Sequence, residues 1–472
     1  MSPDRPAGTP SAKCPMAAAR EAAVPLYGQT EATVPETMEE LRHRFGDLAP
    51  VEVAPGVLAW VLLSYELNRT VLQDARVFPR DPRRWTEAKE GRATPDKVPG
   101  PFWYFRNALA SDPPDHGRYR EVIEDALSVL TAARTYNVVD EFARELMAEP
   151  ASRGRADLVS DLAFRLPLLL LNDAFGLGSD QGTQLVGLMR KVWDGGEEAE
   201  AAMGGLFGYA QSVTLQRRED PGSDVVSRMI THPNGLDDEE VAHQLILIIS
   251  AAHDPLMNLV ANTFHALLSD RSSRADIMSG NARIEELVDI VLWKAPPIYL
   301  MPGRYPAQQM ELGGWTVGEG DCLITGYGPA HSDPRVVEHL DLTSPSGTRA
   351  HLAFGTGPHQ CPARNLARQI GVDTVGTVFR MLPDMALSVP PSDLAWRRSP
   401  FAHGLESLPV TFTPVQTAPR PQQKTPTSGD QSCPHTPDPS SSNQETSGDS
   451  HAHSGMPGPL RALWSRISKS GR

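Results

Sequence analysis

The stretch "HLAFGTGPHQCPARNLARQIG", residues 351–371, decides the fold. His351 to Phe354 reads as a short strand-like run. Gly355 and Gly357 follow, then His359, Cys361 and Pro362, and Ala363 to Val375 has helical periodicity. A sulfur at a helix start is favoured as thiolate, because unpaired amides and the helix dipole stabilise negative charge there. Pro362 suits the first helical position, although it removes one amide that would otherwise face the sulfur. The two glycines permit positive φ and let backbone approach a large flat partner closely. A thiolate beneath a planar ligand suits the axial position of haem iron. A buried structural cysteine and a catalytic thiol are the other readings of the same loop. No CxxCH attachment site, zinc-type Cys/His spacing, Walker loop or GxSxG elbow competes with it.

Composition narrows the classes around this loop. The chain has 472 residues and a net charge of -14. That balance argues against a nucleic-acid partner, which requires a basic surplus or stripe. Cys14, Cys322, Cys361 and Cys433 lie far apart without framework spacing, a pattern that suits free thiols in a reducing cytoplasm. The start carries no signal-peptide design. No apolar run approaches the ~20 residues that span a bilayer. "PLLLLNDAFGLG" is too short, and "QLILIISAAHDPLMNLV" is interrupted by His253, Asp254 and Pro255. The expectation is a cytoplasmic protein with no transmembrane anchor.

Texture divides the chain into zones. Residues 1–25 are Ala/Pro-rich and read as a loose segment, and residues 26–414 read as one folded body. Residues 415–458 are Pro/Ser-rich with almost no apolar side chains, so burial cannot offset their ordering entropy and disorder is expected. Residues 459–472 place Leu460, Leu463, Trp464 and Ile467 at i, i+3, i+4, i+7 beside Arg461, Arg466 and Lys469. That spacing describes a short basic amphipathic helix for docking a regulatory protein or an anionic surface, or else a frayed tail. Within the body, helical periodicity dominates, from "TMEELRHRF" and "DHGRYREVIEDALSVL" to "DDEEVAHQLILIISAAHDPLMNLVANTFHALLS" and "ARIEELVDIVLWK". "VEVAPGVLAWVLLS" and "MELGGWTVGEGDCLIT" read as hairpins, and "ALSVPPSDLAWRR" with "SLPVTFTP" as a terminal strand pair. The fold class is mainly α with small β-sheets.

Phe354, Gly357, His359, Cys361 and Ala363, followed by Leu366 to Arg368, stand in the register of a known loop. Through them the chain resembles the cytochrome P-450 superfamily, in its soluble bacterial form, over residues 26–414. The resemblance implies the P-450 fold, a triangular helical prism with haem b between the long central helix and the cysteine-loop helix. It makes Cys361 the iron ligand, with Phe354, Gly355 and Gly357 in the haem loop. "DPPDHGRYR" resembles the helix whose histidine and arginine hold haem propionates, here His116 and Arg120. Their i, i+4 spacing shares one face, and a buried dianion needs such cations. Arg304, on a strand before the "ELGG" hairpin, and His359 are the further propionate candidates.

Four departures from the family pattern stand out. The central helix keeps the family's acid as Asp254 but has Pro255 in place of the following threonine. No hydroxyl is available there; the proline instead leaves the Ala251 carbonyl without its i+4 donor and kinks the helix, opening a groove for water or dioxygen. Asp254 then either relays protons or faces solvent beside the kink. The Glu-x-x-Arg pair falls on Ile290 and Trp293, and its partner arginine on Ser344, so all three charges are absent together. Ile290 and Trp293 are expected to pack in their place, an exchange that can be energetically neutral. Asp289 and Lys294 are read as pointing elsewhere. Lastly, Pro362 and Ala363 follow the cysteine, and fewer amides on the sulfur predict a more electron-donating thiolate and a lower iron potential. These departures resemble an actinobacterial subgroup that lacks the Glu-x-x-Arg pair.

The resemblance implies a monooxygenase that inserts one atom of dioxygen into a small apolar substrate. Electrons would come from a separate ferredoxin and ferredoxin reductase, since the chain carries no flavin or reductase motif. Arg118, Arg364 and Arg368 are candidates to receive an acidic ferredoxin, or else form a solvated face. The pocket candidates are residues 99–109, Ala252 and Leu256, Ile298 to Leu300, and Phe401. Two other readings stay open: a peroxide-using or rearranging haem enzyme, and a haem-binding regulatory or scaffold protein.

Overall fold

The computed structural model describes residues 15–28, 34–98, 101–194, 198–340 and 349–416. The central helix, Asp238–Ser269, is the axis of the body. It begins with a capping box in which the Asp237 carboxylate accepts from the Glu240 amide and the Glu240 side chain accepts from the Asp237 amide. Three acids in its first turn complement the helix dipole. Asp270 ends it and caps the next helix, Arg271–Ser279, accepting from the amides of Ser272 and Ser273. The helix is long and apolar enough to cross a membrane, but 56% of that stretch is buried inside the protein. Val241, Leu245, Ile249, Leu259, Val260 and Phe264 lie in the main core, so burial within the body accounts for its apolarity. Pro255 sits inside the helix without ending it.

Around this axis pack the helices Leu166–Ala174, Glu198–Glu219, Ile284–Lys294 and Arg364–Met381. The last is the cysteine-loop helix, which touches both the central helix and Ala132–Arg153. Smaller sheets flank the helical body. Strands β1 (Val24–Pro25), β2 (Leu48–Ala54) and β3 (Val57–Leu62) open the first sheet; β4 (Arg155–Asp157) belongs to the second. Strand β5 (Leu300–Arg304) ends on a candidate site residue. β6 (Met310–Leu312) and β7 (Trp315–Val317) form the hairpin turned at Gly313 and Gly314, ahead of β8 (Leu323–Gly326). The five-stranded order is β1-β2-β3-β8-β5, with β3 and β8 parallel. Finally β9 (Ala386–Leu387) and β10 (Pro409–Thr411) pair antiparallel, and β10 also joins β4.

Three expectations change. Residues 15–25 are not loose: Pro15–Ala22 is a helix with Ala19 buried, and Val24 pairs with Val51. Ala/Pro-rich texture hid this because the segment is ordered by contacts with the sheet. His351 to Phe354 is irregular chain rather than strand: the Leu352 and Phe354 carbonyls accept within the cysteine loop, and the Leu352 amide donates to the His331 side chain. The proposed tail zone from residue 417 onward, the 459–472 helix and Ser344 lie outside the described residues.

Candidate functional site

Cys361 is set by its own loop. Its amide donates to the Phe354 carbonyl at 2.9 Å, Gly355 to Leu352 at 2.7 Å, and Gln360 to Gly357 at 3.0 Å. These bonds fold the loop back so that the sulfur stands just ahead of the helix Arg364–Met381. Burial pushes the thiol up, opposed by the Ala363 amide on the sulfur and by the charges of Arg120 and Arg364. Gly357 has φ +76°, and a Cβ there would lie 2.4 Å from the Leu72 carbonyl oxygen. The close approach this glycine permits is therefore to the end of the helix Tyr65–Gln73.

The other candidates gather beside that loop. His116 is buried on the helix Asp115–Leu127, and its ring centre lies 4.0 Å from that of His359. Arg304, at the end of β5, is completely buried. It donates to the Phe78 carbonyl at 3.0 Å and the Leu72 carbonyl at 3.5 Å, and its Nε finds no acceptor. His359 Nε2 is likewise buried without a partner. Arg120 reaches Glu124 at 2.6 Å. Arg80, which the sequence reading missed, is 4% exposed and donates to the Leu109 carbonyl at 3.1 Å. It lies in irregular chain, so no periodicity marks it.

Among the described residues neither Arg80 nor Arg304 forms an ion pair. The cations therefore press on one another. Burial, with Arg80 next, pushes Arg304 down to about 9. Burial, then Arg120 and Arg304, lowers His116; burial, then Arg304 and His116, lowers His359. A buried cationic group of this kind is costly unless an anion joins it. A cleft of about 510 Å³, lined partly by Thr70, Asp74, Pro113, His116 and His359, opens at its edge.

No protein-family model matches the chain. The cytochrome P450 monooxygenase PikC of Streptomyces venezuelae is 28% identical over 379 residues, covering 77% of this chain and 87% of that protein. The vitamin D(3) 25-hydroxylase of Pseudonocardia autotrophica is 26% identical over 366 residues, 75% of this chain and 88% of the other. The solved structure of CYP154A1 from Streptomyces coelicolor superposes with TM-score 0.71 at 25% identity, covering 83% of this chain and 100% of that one. The chain belongs to the cytochrome P-450 superfamily. It is an oxidoreductase of the P-450 monooxygenase type, with haem b as cofactor. The donor set fits that group: one half-buried thiol at a helix start, and a cationic cluster with two unpartnered buried nitrogens.

The P-450 departures have physical counterparts in the structure. Trp293 is buried against Tyr65, His331 and His351, at ring distances of 6.3, 4.7 and 6.4 Å. Lys294 is exposed, as expected, but Asp289 does not point away. Its carboxylate is 4% exposed and accepts two bonds from Arg368, at 2.6 and 2.8 Å, and one from Arg349 at 3.2 Å. Charge is thus retained one residue before the Ile290 slot. The two arginines come from either side of the cysteine loop.

Asp254 neither stands free nor simply faces solvent. Arg397 donates to it at 2.7 Å, with Asn258 at 3.5 Å on its other oxygen. Of the three arginines read as a ferredoxin surface, Arg368 is committed to Asp289 and Arg118 to Glu240, because each lies beside a buried carboxylate. Among the described residues Arg364 bonds to the Gln360 side chain. Three pocket segments do converge. Phe102 stacks on Trp85 at 5.4 Å and meets Phe401 edge-on at 5.9 Å, and Ile298 bridges to Ala402. Leu256 and Ala252 instead pack in the main core.

Proposed function

We propose that this P-450 oxidises a small apolar organic substrate with dioxygen, using electrons from a separate ferredoxin and its reductase. The observation that carries the reading is the buried group of Arg80, His116, Arg304 and His359 beside Cys361, in which neither arginine forms an ion pair among the described residues and Arg304 Nε and His359 Nε2 have no partner. In this reading Cys361 is the iron ligand, and His116, Arg120, Arg304 and His359, joined by Arg80, hold the propionates. Haem, when bound, supplies the iron centre at which dioxygen is activated.

The chain's own residues do the rest. Phe354, Gly355 and Gly357 shape the loop under the sulfur. Phe102, Phe401 and Ile298 offer an apolar wall that orients substrate and excludes water. Asp254 is the proton relay, with Arg397 holding one carboxylate oxygen and the other in only a 3.5 Å contact with Asn258. Arg364 is the best candidate for the ferredoxin face, and the tail beyond residue 416 for a regulatory partner. The burial of the central helix supports a cytoplasmic location.

A peroxide-driven or rearranging activity is the second reading. It is favoured by Pro255, which supplies no hydroxyl, and by the engagement of Asp254 with Arg397. Turnover of apolar substrates with NADPH and surrogate ferredoxin partners, giving product in step with NADPH consumed, supports monooxygenation. Turnover with added peroxide alone supports the second reading. Haem incorporation with no turnover by either route overturns both.

A further inference from the structure

His331 stands between the helix Ile284–Lys294 and the cysteine loop, 4% exposed at the end of the short helix Tyr327–His331. Its two ring nitrogens serve different elements. Nδ1 lies 3.1 Å from the Trp293 carbonyl oxygen, and Nε2 lies 2.7 Å from the Leu352 amide. An amide can only donate, so Nε2 is the bare nitrogen and the proton sits on Nδ1, donated to Trp293.

Both partners are backbone groups that local secondary structure does not bond. The residue four positions after Trp293 is Pro297, which has no N–H, so the Trp293 carbonyl has no intrahelical donor. Leu352 is buried in irregular chain, with no ladder to take its amide. From Leu352 the connection continues inward. Gly355 donates to the Leu352 carbonyl at 2.7 Å, and Cys361 donates to Phe354 at 2.9 Å. Trp293 and His351 flank the ring, with centres at 4.7 and 6.3 Å. Burial, reinforced by His351, pushes His331 down to about 3, so the ring is neutral at ordinary pH and both bonds persist.

We propose that His331 is a positioning residue for the Cys361 loop, a neutral bridge that fixes the loop against the helix Ile284–Lys294. The inference rests on Cys361 being the iron ligand, so its test includes a readout that does not depend on the iron. Hydrogen exchange in the haem-loaded full chain should show the Leu352 amide protected far above an exposed loop amide. His331→Leu should lower that protection roughly 5- to 150-fold, the range for a lost buried hydrogen bond. It should also divide the reduced CO band between a strongly red-shifted form and an ordinary haem form at equal haem content. His331→Gln, with a donor and an acceptor on one side chain, should restore both.

Free exchange of Leu352 in the unaltered protein overturns the proposal even if the leucine variant does not fold. So does a leucine variant with unaltered protection and an undivided band. If the unaltered protein itself lacks the red-shifted band, the ligand assignment fails, and exchange at Leu352 still judges the bridge.

Discussion

Arg304 carries its charge to a place where the polypeptide offers only carbonyl oxygens. Without haem it is a liability, and with haem it is an asset. Arg304→Met should therefore stabilise the haem-free protein, by about 1–4 kcal/mol if the site behaves like other buried ionic groups. The same change should weaken haem retention roughly 10- to 150-fold, the worth of a charge-assisted bond. Denaturant unfolding and haem transfer to a scavenger protein measure the two effects, which must have opposite sign. Gly357→Ala should cost about 1–3 kcal/mol, because positive φ and the Leu72 carbonyl both oppose a Cβ. At this scale much was legible: the spacing of His116 and Arg120, and the lone cysteine at a helix start. Arg80 was not, having no periodic context. Nor was the partner of Asp254, because Arg397 lies 143 positions away and no local pattern encodes such a contact.

The helix Ile284–Lys294 is the element whose reading changed most. Its register put Ile290 and Trp293 where the family has charges, and Trp293 does pack among aromatic rings. What the register concealed is Asp289, which faces the cysteine-loop helix and grips Arg368 there. Helical periodicity gives the direction of a side chain relative to its own helix, whereas the identity of the neighbour is set by packing. Asp289→Ala should cost about 1–3 kcal/mol, because it leaves the half-buried Arg368 with only the Glu285 carbonyl as acceptor. Pairing the change with Arg368→Met should recover most of that loss, and a double-mutant cycle by chemical denaturation checks both statements. The long periodic helices were the most legible elements. The short helix Tyr327–His331 and the two-residue strands were not, since their hydrogen bonds are to distant chain.

Over the whole molecule, burial holds several histidines neutral. His253 is pushed down to about 4, His331 to about 3 and His351 to about 4, each chiefly by burial. Their folded values lie below the unfolded value near 6.5, so the unfolded chain binds protons that the folded chain refuses. Stability should be unaffected by these groups above pH 6.5 and should fall as pH drops from there toward 4. At pH 5 three such groups give a slope of roughly 4 kcal/mol per pH unit. Unfolding free energy measured across pH 4.5–7.5 tests this, and a flat profile would contradict the burial of these rings. The mainly helical body with small sheets was legible from periodicity. The inclusion of residues 15–25 was not, because that segment is ordered by the sheet it joins.

The account stands on Cys361 and its thiolate. The direct measurement is the optical spectrum of the purified, haem-loaded protein, reduced and exposed to CO. A strongly red-shifted Soret band that disappears in Cys361→Ala is the predicted result; an ordinary haem–CO band in the unaltered protein, or a red-shifted band that survives Cys361→Ala, would contradict it.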